Sequence, residues 1–322
     1  MGHSPRVASL LPSATEIVCA LGHRDALIGR SHECDFPPGV EALPVLTEAK
    51  LDASAPSRAI DARVKALVAD GLSVYRVDAE ALRALAPDVV LTQAHCEVCA
   101  ASLSDVEAAL TSWSGARPSV LSLQPATLGD VWEDFERVAA ALGDPRSGRA
   151  LARRQNERVV ALGERAARAA TDRGRPRVAC LEWIDPLMSA GNWMPELVSL
   201  AGGEPLFGVP GQHSPWLAWD DLVAADPDAI VVVPCGFDLA RTRAELAPLL
   251  ARQGFGALRA VREGRVHLAD GNAWFNRPGP RLVESLAILC EVLHPEAFPA
   301  GPPGRWERLT PARPTRRRRS RG

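Results

Sequence analysis

Several familiar classes are excluded by what the 322-residue chain has little of. No run approaches the roughly 20 apolar residues needed to span a bilayer. Net charge is almost absent, with 37 basic against 39 acidic residues. No global field therefore draws the folded body to nucleic acid or membrane, and no specific nucleic-acid partner is expected. Seven cysteines, an odd number in a chain this long, do not suggest a disulfide framework. The opening lacks a basic segment followed by an apolar one, since Pro12, Ser13, Thr15 and Glu16 interrupt its apolar positions. No signal peptide is expected and the cytoplasm is the simplest location, with periplasmic or cell-surface residence if translation starts upstream of Met1. The chain contains no G-x-G-x-x-G, G-x-x-x-x-G-K, H-E-x-x-H or G-x-S-x-G, and nothing sets a nucleophile against a base. The expectation is a protein that is not an enzyme.

What is there alternates. Residues 6–11 read as a strand that stops at Pro12, and 13–21 carry apolar residues at helical spacing before Gly22. Strands are expected at 26–28, 73–77 and 88–92, with helices at 59–70 and 79–86. Asp144 can cap a helix whose first residue is Pro145 and which runs to about residue 170. The segment LAPDVVLTQAHC at 85–96 is echoed by ADPDAIVVVPCG at 225–236. Two similar halves of alternating strands and helices predict an α/β fold of two Rossmann-like, parallel-sheet lobes joined by one long backbone helix. The boundaries read as a first lobe at 1–125, a helical connector at 126–175, a second lobe at 176–300 and a tail at 301–322. That tail holds RPTRRRRSR, which repels itself and has nothing apolar to bury, so disorder is expected, with contact to nucleic acid or anionic lipid as the alternative.

Loops after parallel strands gather at the carboxyl ends of a sheet, where open α/β folds place ligands. That brings SHECD, QAHCEVC, LEWIDP, GNW and PCGF toward one cleft. Expected ligand-facing residues are Ser13, His32, Asp35, Gln93, Trp183, Trp193, Cys235, Trp274 and Phe275, with Ser13 also read as a helix cap. His32, Cys34, Cys96 and Cys99 could supply zinc or an iron–sulfur cluster, because C-x-x-C sets two thiolates on one turn and H-x-C could complete the set. The same residues also fit a redox pair, or small buried side chains at strand ends. The chain has eight tryptophans and one tyrosine. Trp183, Trp193, Trp216, Trp219 and Trp274 fall in expected loops, where flat surface suits a planar or bulky ligand and equally suits packing between lobes and helix.

With these residues in view, the chain resembles the helical-backbone (class III) substrate-binding proteins of ABC importers, in particular their cobalamin-binding branch. The likeness spans about residues 6–295 and is carried by SLLPSATEIVCALG, DFPP, EALRALAPDVVLTQ, AGGEPLFG, WLAWDDLVAADPDAIVVV and FNRPGPRLVESLAILCEVLHP. The resemblance implies a monomer that holds cobalamin or a related corrinoid between its lobes. It also implies an acidic residue on each lobe for docking to a permease, here Glu80 and Asp220, a partner available only if the chain is exported. No leader is expected, unlike in secreted members of that branch, and the chain lacks their aromatic near Gln93 and in the loop before Glu80. A long helix between lobes resists bending, so only a few degrees of lobe rotation are expected on binding.

Overall fold

The computed structural model describes residues 5–69, 74–93, 103–111 and 117–310. The first half supplies strands β1 (Val7–Ser9), β2 (Leu27–Arg30), β3 (Thr47–Ala49), β4 (Tyr75–Val77), β5 (Val89–Gln93) and β6 (Ser119–Leu123). Between them run helices α1 (Pro12–Ala20), α2 (Ser57–Ala69), α3 (Ala79–Leu85) and α4 (Leu103–Leu110). β2, β1, β5 and β6 form a parallel sheet in that order, and β3 and β4 pair separately as an antiparallel ribbon. Then come α5 (Leu128–Ala141) and α6 (Pro145–Arg173).

The second half supplies β7 (Arg177–Trp183), β8 (Met188–Ser189), β9 (Glu204–Pro205), β10 (Ala229–Val232), β11 (Val266–Ala269) and β12 (Trp306–Arg308). Its helices are α7 (Met194–Leu200), α8 (Trp219–Ala225), α9 (Leu239–Ala244), α10 (Ala247–Leu250), α11 (Arg259–Arg262) and α12 (Leu282–Leu293). The sheet runs β12-β11-β10-β7-β8, with β9 beside β7. β12 lies in the stretch that sequence assigned to the tail. It pairs antiparallel with β11, Trp306 opposite Ala269, so the second lobe extends past residue 300. Residues 311–322 lie outside the described residues.

The internal echo is a structural repeat. Asp88 Oδ2 accepts the Arg6 N–H at 2.8 Å, and Asp228 Oδ2 accepts the Arg177 N–H at 2.8 Å. Each arginine side chain then bonds the carbonyl that ends the preceding helix, Leu85 or Ala225. Both helices close on a left-handed residue before the proline, Ala86 at φ 42° and Asp226 at φ 39°. One supersecondary unit thus starts the central strands of both lobes.

The connector is held on both sides. α6 is 29 residues long, about 43 Å at 1.5 Å per residue. Pro145 opens it and Asp144 caps it through the Ser147 N–H. Gly148 permits α5 to lie against it, since a Cβ there would sit 2.8 Å from the Phe135 carbonyl oxygen. One continuous apolar cluster joins Val7 and Leu91 of the first lobe, Phe135 of α5, Leu151 and Val159 of α6, and Val231 and Leu286 of the second lobe. Each lobe's outer sheet face carries its own separate cluster. The lobes are therefore fused on the connector side and meet elsewhere through polar contacts.

Candidate functional site

The strand ends of both lobes enclose a cleft of about 370 Å³, within the range for small-molecule sites. From the first lobe come Ser13 after β1, Glu33 after β2, Gln93 at the end of β5, Tyr75 of β4 and the inner side of α2, with Ile60 and Val64. From the second come Glu182 and Trp183 at the end of β7, Asn192 and Trp193 before α7, Trp216 before α8, Cys235 and Phe237 after β10, and Phe275 and Arg277 after β11.

Six expected ligand residues line this space together: Ser13, Gln93, Trp183, Trp193, Cys235 and Phe275. Trp183 packs on Phe237 with centroids 5.2 Å apart, giving a tilted aromatic wall. Trp193 is buried, and its indole N–H donates to the Phe275 carbonyl at 3.0 Å. Phe275 ends a tight turn at Gly271–Phe275, capped by Asp270 Oδ1 on the Ala273 N–H at 2.7 Å. Ser13 is not a helix cap. Pro12 occupies the first helical position and Leu11 the cap, which leaves the Ser13 side chain inside the first turn.

Three expected residues are turned elsewhere. His32 is one layer back, its Nδ1 2.8 Å from Thr47 Oγ1 and its ring 5.5 Å from Tyr75. Asp35 is held by Arg277, at 2.5 and 3.0 Å to its two oxygens. Burial pushes the Asp35 carboxyl up, but the Arg277 hydrogen bond and charge outweigh it and hold the carboxyl below its ordinary value. Trp274 packs on the main core beneath the Arg281 guanidinium, 5.1 Å from its ring centroid. Trp219, an expected loop residue, opens α8 and donates to the Gln253 carbonyl at 2.9 Å.

The metal reading is not supported. Cys96 and Cys99 lie outside the described residues. Cys34 is buried with its Sγ 3.1 Å from Thr15 Oγ1, and burial pushes the thiol up to about 11. Among the described residues no group of three or more His, Cys, Asp or Glu converges in a way that could hold a metal ion.

The sequence reading missed a buried ionic seam between the lobes. Arg277 reaches Glu16 at 3.3 Å as well as Asp35, and Arg281 grips both oxygens of Glu16 at 2.8 and 2.5 Å. It also missed Tyr75, whose hydroxyl donates to Glu33 Oε1 at 3.0 Å. Burial pushes the Glu33 carboxyl up, against the Tyr75 bond. At the outer side, Arg58 of α2 makes two bonds to Asp185, at 2.8 and 2.7 Å. Arg241 lies over Phe237 and donates to the Ala53 and Ala55 carbonyls, while Glu245 accepts the Ser57 N–H at 3.1 Å. Lys65 sits 4.5 Å above the Trp216 ring. α2 is thus a flap over the cleft bonded to the opposite lobe. Glu80 and Asp220 are exposed in the first turns of α3 and α8, equivalent places on the two lobes.

Residues 7–273 match the model of the periplasmic binding protein family. The chain belongs to this family. It is 23% identical over 298 residues to an uncharacterized ABC transporter substrate-binding lipoprotein of Bacillus subtilis, covering 91% of this chain and 81% of that one. It is 23% identical over 299 residues to the vitamin B12-binding protein of Vibrio parahaemolyticus, covering 89% and 88%. Its fold is similar to the crystal structure of a periplasmic heme binding protein from Pseudomonas aeruginosa, with a TM-score of 0.71 at 22% identity over 96% and 99% of the two chains. The two-lobed class III architecture is shared with solved structures such as this one. No helix among the described residues is long and apolar enough to cross a membrane.

Proposed function

We propose that this chain is a non-catalytic receptor for cobalamin or a related corrinoid, held in the cleft between its lobes. The observation that carries the reading is the cleft wall. Flat aromatic surface from Trp183, Trp216, Phe237 and Tyr75 faces the space from both lobes, edged by the amides of Gln93, Asn192 and Asn272. A corrin ring is a large macrocycle rimmed by amides, and such a wall offers it stacking area and paired hydrogen bonds. Likeness to a vitamin B12-binding protein over most of the chain supports the same ligand. Glu80 and Asp220 are the carboxylates that would meet a permease, a partner available only to an exported chain. The cytoplasm is the proposed location, supported by the described cysteines, Cys19, Cys34, Cys180, Cys235 and Cys290, which are all free thiols. Cell fractionation checks this part, and recovery from the periplasm would refute it.

The test of the ligand is titration of the purified full chain with cyanocobalamin and dicyanocobinamide, following tryptophan fluorescence. Quenching with a Kd below roughly 100 µM, near 5.5 kcal/mol, is expected. Absence of binding by every corrinoid tried would refute the reading.

A further inference from the structure

The charges around the cleft are unbalanced toward acid. Two cationic side chains other than histidine line it among the described residues, Lys65 and Arg277, and each already faces carboxylates: Asp61 at 2.9 Å for Lys65, Asp35 and Glu16 for Arg277. Three carboxyls line it, Glu33 and Asp61 from the first lobe and Glu182 from the second, and Asp61 is the one that faces Lys65. Glu33 is bonded to Tyr75, and Glu182 accepts the Ser214 hydroxyl at 2.9 Å. Segments 70–73, 94–102 and 112–116 read DGLS, AHCEVCAAS and SWSGA, so none of them carries a lysine or arginine.

We propose that the cleft selects macrocycles with an uncharged, amide-bearing rim and rejects those of the same size whose rim carries free carboxylates. This deepens the corrinoid reading and rests on it for the ligand's shape, while the charge argument stands on the cleft alone. An amide N–H donates to a carboxylate or carboxyl oxygen, so Glu33 and Glu182 accept what a neutral rim offers. A carboxylate placed there faces Glu182 on one wall and the Glu33 carboxyl on the other in a partly desolvated space, and the two cations that line the cleft among the described residues already pair with carboxylates. Burial already pushes the Glu33 carboxyl up, and an anionic neighbour would push it further. Gln93 and Asn192 add donor and acceptor together, which suits an amide rim again.

The experiment uses two matched pairs against the full chain by equilibrium titration. One pair is dicyanocobinamide and dicyanocobyrinic acid, which differ in rim amides against rim carboxylates. The other is haemin dimethyl ester and haemin. The neutral member of each pair is expected to bind roughly 100-fold more tightly. In a Glu33→Gln, Glu182→Gln double variant that preference is expected to shrink at least about tenfold, a change of ratio that a merely weakened fold would not produce. Equal binding of cobinamide and cobyrinic acid would overturn charge selection and leave the receptor reading intact. Preference for the ester over haemin with no corrinoid bound would do the reverse. A ratio unmoved in the double variant would overturn the roles of Glu33 and Glu182, and absence of binding by all four ligands would overturn both proposals.

Discussion

The two lobes meet through two polar seams made of the same chemistry, arginine against carboxylate, and the seams differ in their exposure to water. In the inner seam the Arg277 and Glu16 side chains are 5% and 2% exposed. In the outer seam Arg58 is 74% exposed against an Asp185 of 9%. A buried pair costs much to desolvate and much more to break, because the partner left behind stays buried. A pair with one end in water is screened and replaceable by solvent. The inner seam therefore fixes the lobes, together with the apolar cluster along α6, while the outer seam can open. α2 fits that role, since among its described side chains Ser57 and Leu67 alone are buried. The rigid connector argues against wide lobe rotation, and the loosely anchored flap offers ligand another way in.

The largest effect is expected from the inner seam. Arg277→Met leaves Glu16 to Arg281 alone and takes from the half-exposed Asp35 its arginine, and should lower stability by about 3 kcal/mol in urea denaturation. A loss below about 1 kcal/mol would show that the seam is no more buried than the outer one. Acid titration probes the same seam once a second group is removed. Burial, with Arg308 and Arg265 adding, lowers His267 to about 4. Between pH 6.5 and 4 the unfolded chain takes up a proton that folded His267 refuses, so stability falls with pH by about 3 kcal/mol across that window. His267→Leu should flatten this slope. Asp35, held below its ordinary value, keeps its contribution through that window and loses it only in stronger acid. A similar slope in the variant would put the acid loss elsewhere.

A smaller effect is expected at the cleft wall between the seams. A Cβ at Gly191 would lie 2.5 Å from the Gln212 carbonyl oxygen and 2.6 Å from the Ser214 nitrogen, both backbone atoms with little room to yield. Gly191→Ala should cost about 2 kcal/mol and weaken ligand binding by displacing Ser214 from Glu182. Unchanged melting and affinity would show that this loop is looser than its contacts imply.

Local signals made most of the fold legible, whereas the cleft depended on partners far along the chain. Pro145 after Asp144, the glycine stop at Gly22 and the two Pro-Asp steps each declare a boundary within a few residues, and the elements fall within a few residues of the expected ones. The loops that form the cleft were legible for the same reason, because strand ends dictate where they gather. Which side chains face inward was not. Asp35 turns away because Arg277, 242 residues later, claims it, and His32 because Thr47 lies beside it. Tyr75 was read only as part of a strand, and the outward pattern of α2 gave no sign that Arg58 would reach Asp185. The strand at residues 306–308 was hidden beside a run of arginines whose charge dominated the reading of the whole segment.

The smallest effect on stability, and the sharpest test of the comparison, belongs to the outer seam. Arg58→Ala removes a guanidinium that is mostly in water, so denaturation should shift by less than about 1 kcal/mol. The bonds it makes nevertheless join α2 to the second lobe over the space a ligand must cross. Ligand release should therefore quicken severalfold in stopped-flow measurements, and Arg58→Ala with Arg241→Ala should quicken it further, because Arg241 holds the Ala53 and Ala55 carbonyls of the same flap. The effect should appear in both directions, entry as well as exit, because a flap that opens more often lowers one barrier shared by both. Affinity would then change less than either rate. A variant that releases ligand faster while binding it no faster would mean that these arginines stabilise the closed complex alone, and that ligand passes by a route that α2 does not cover.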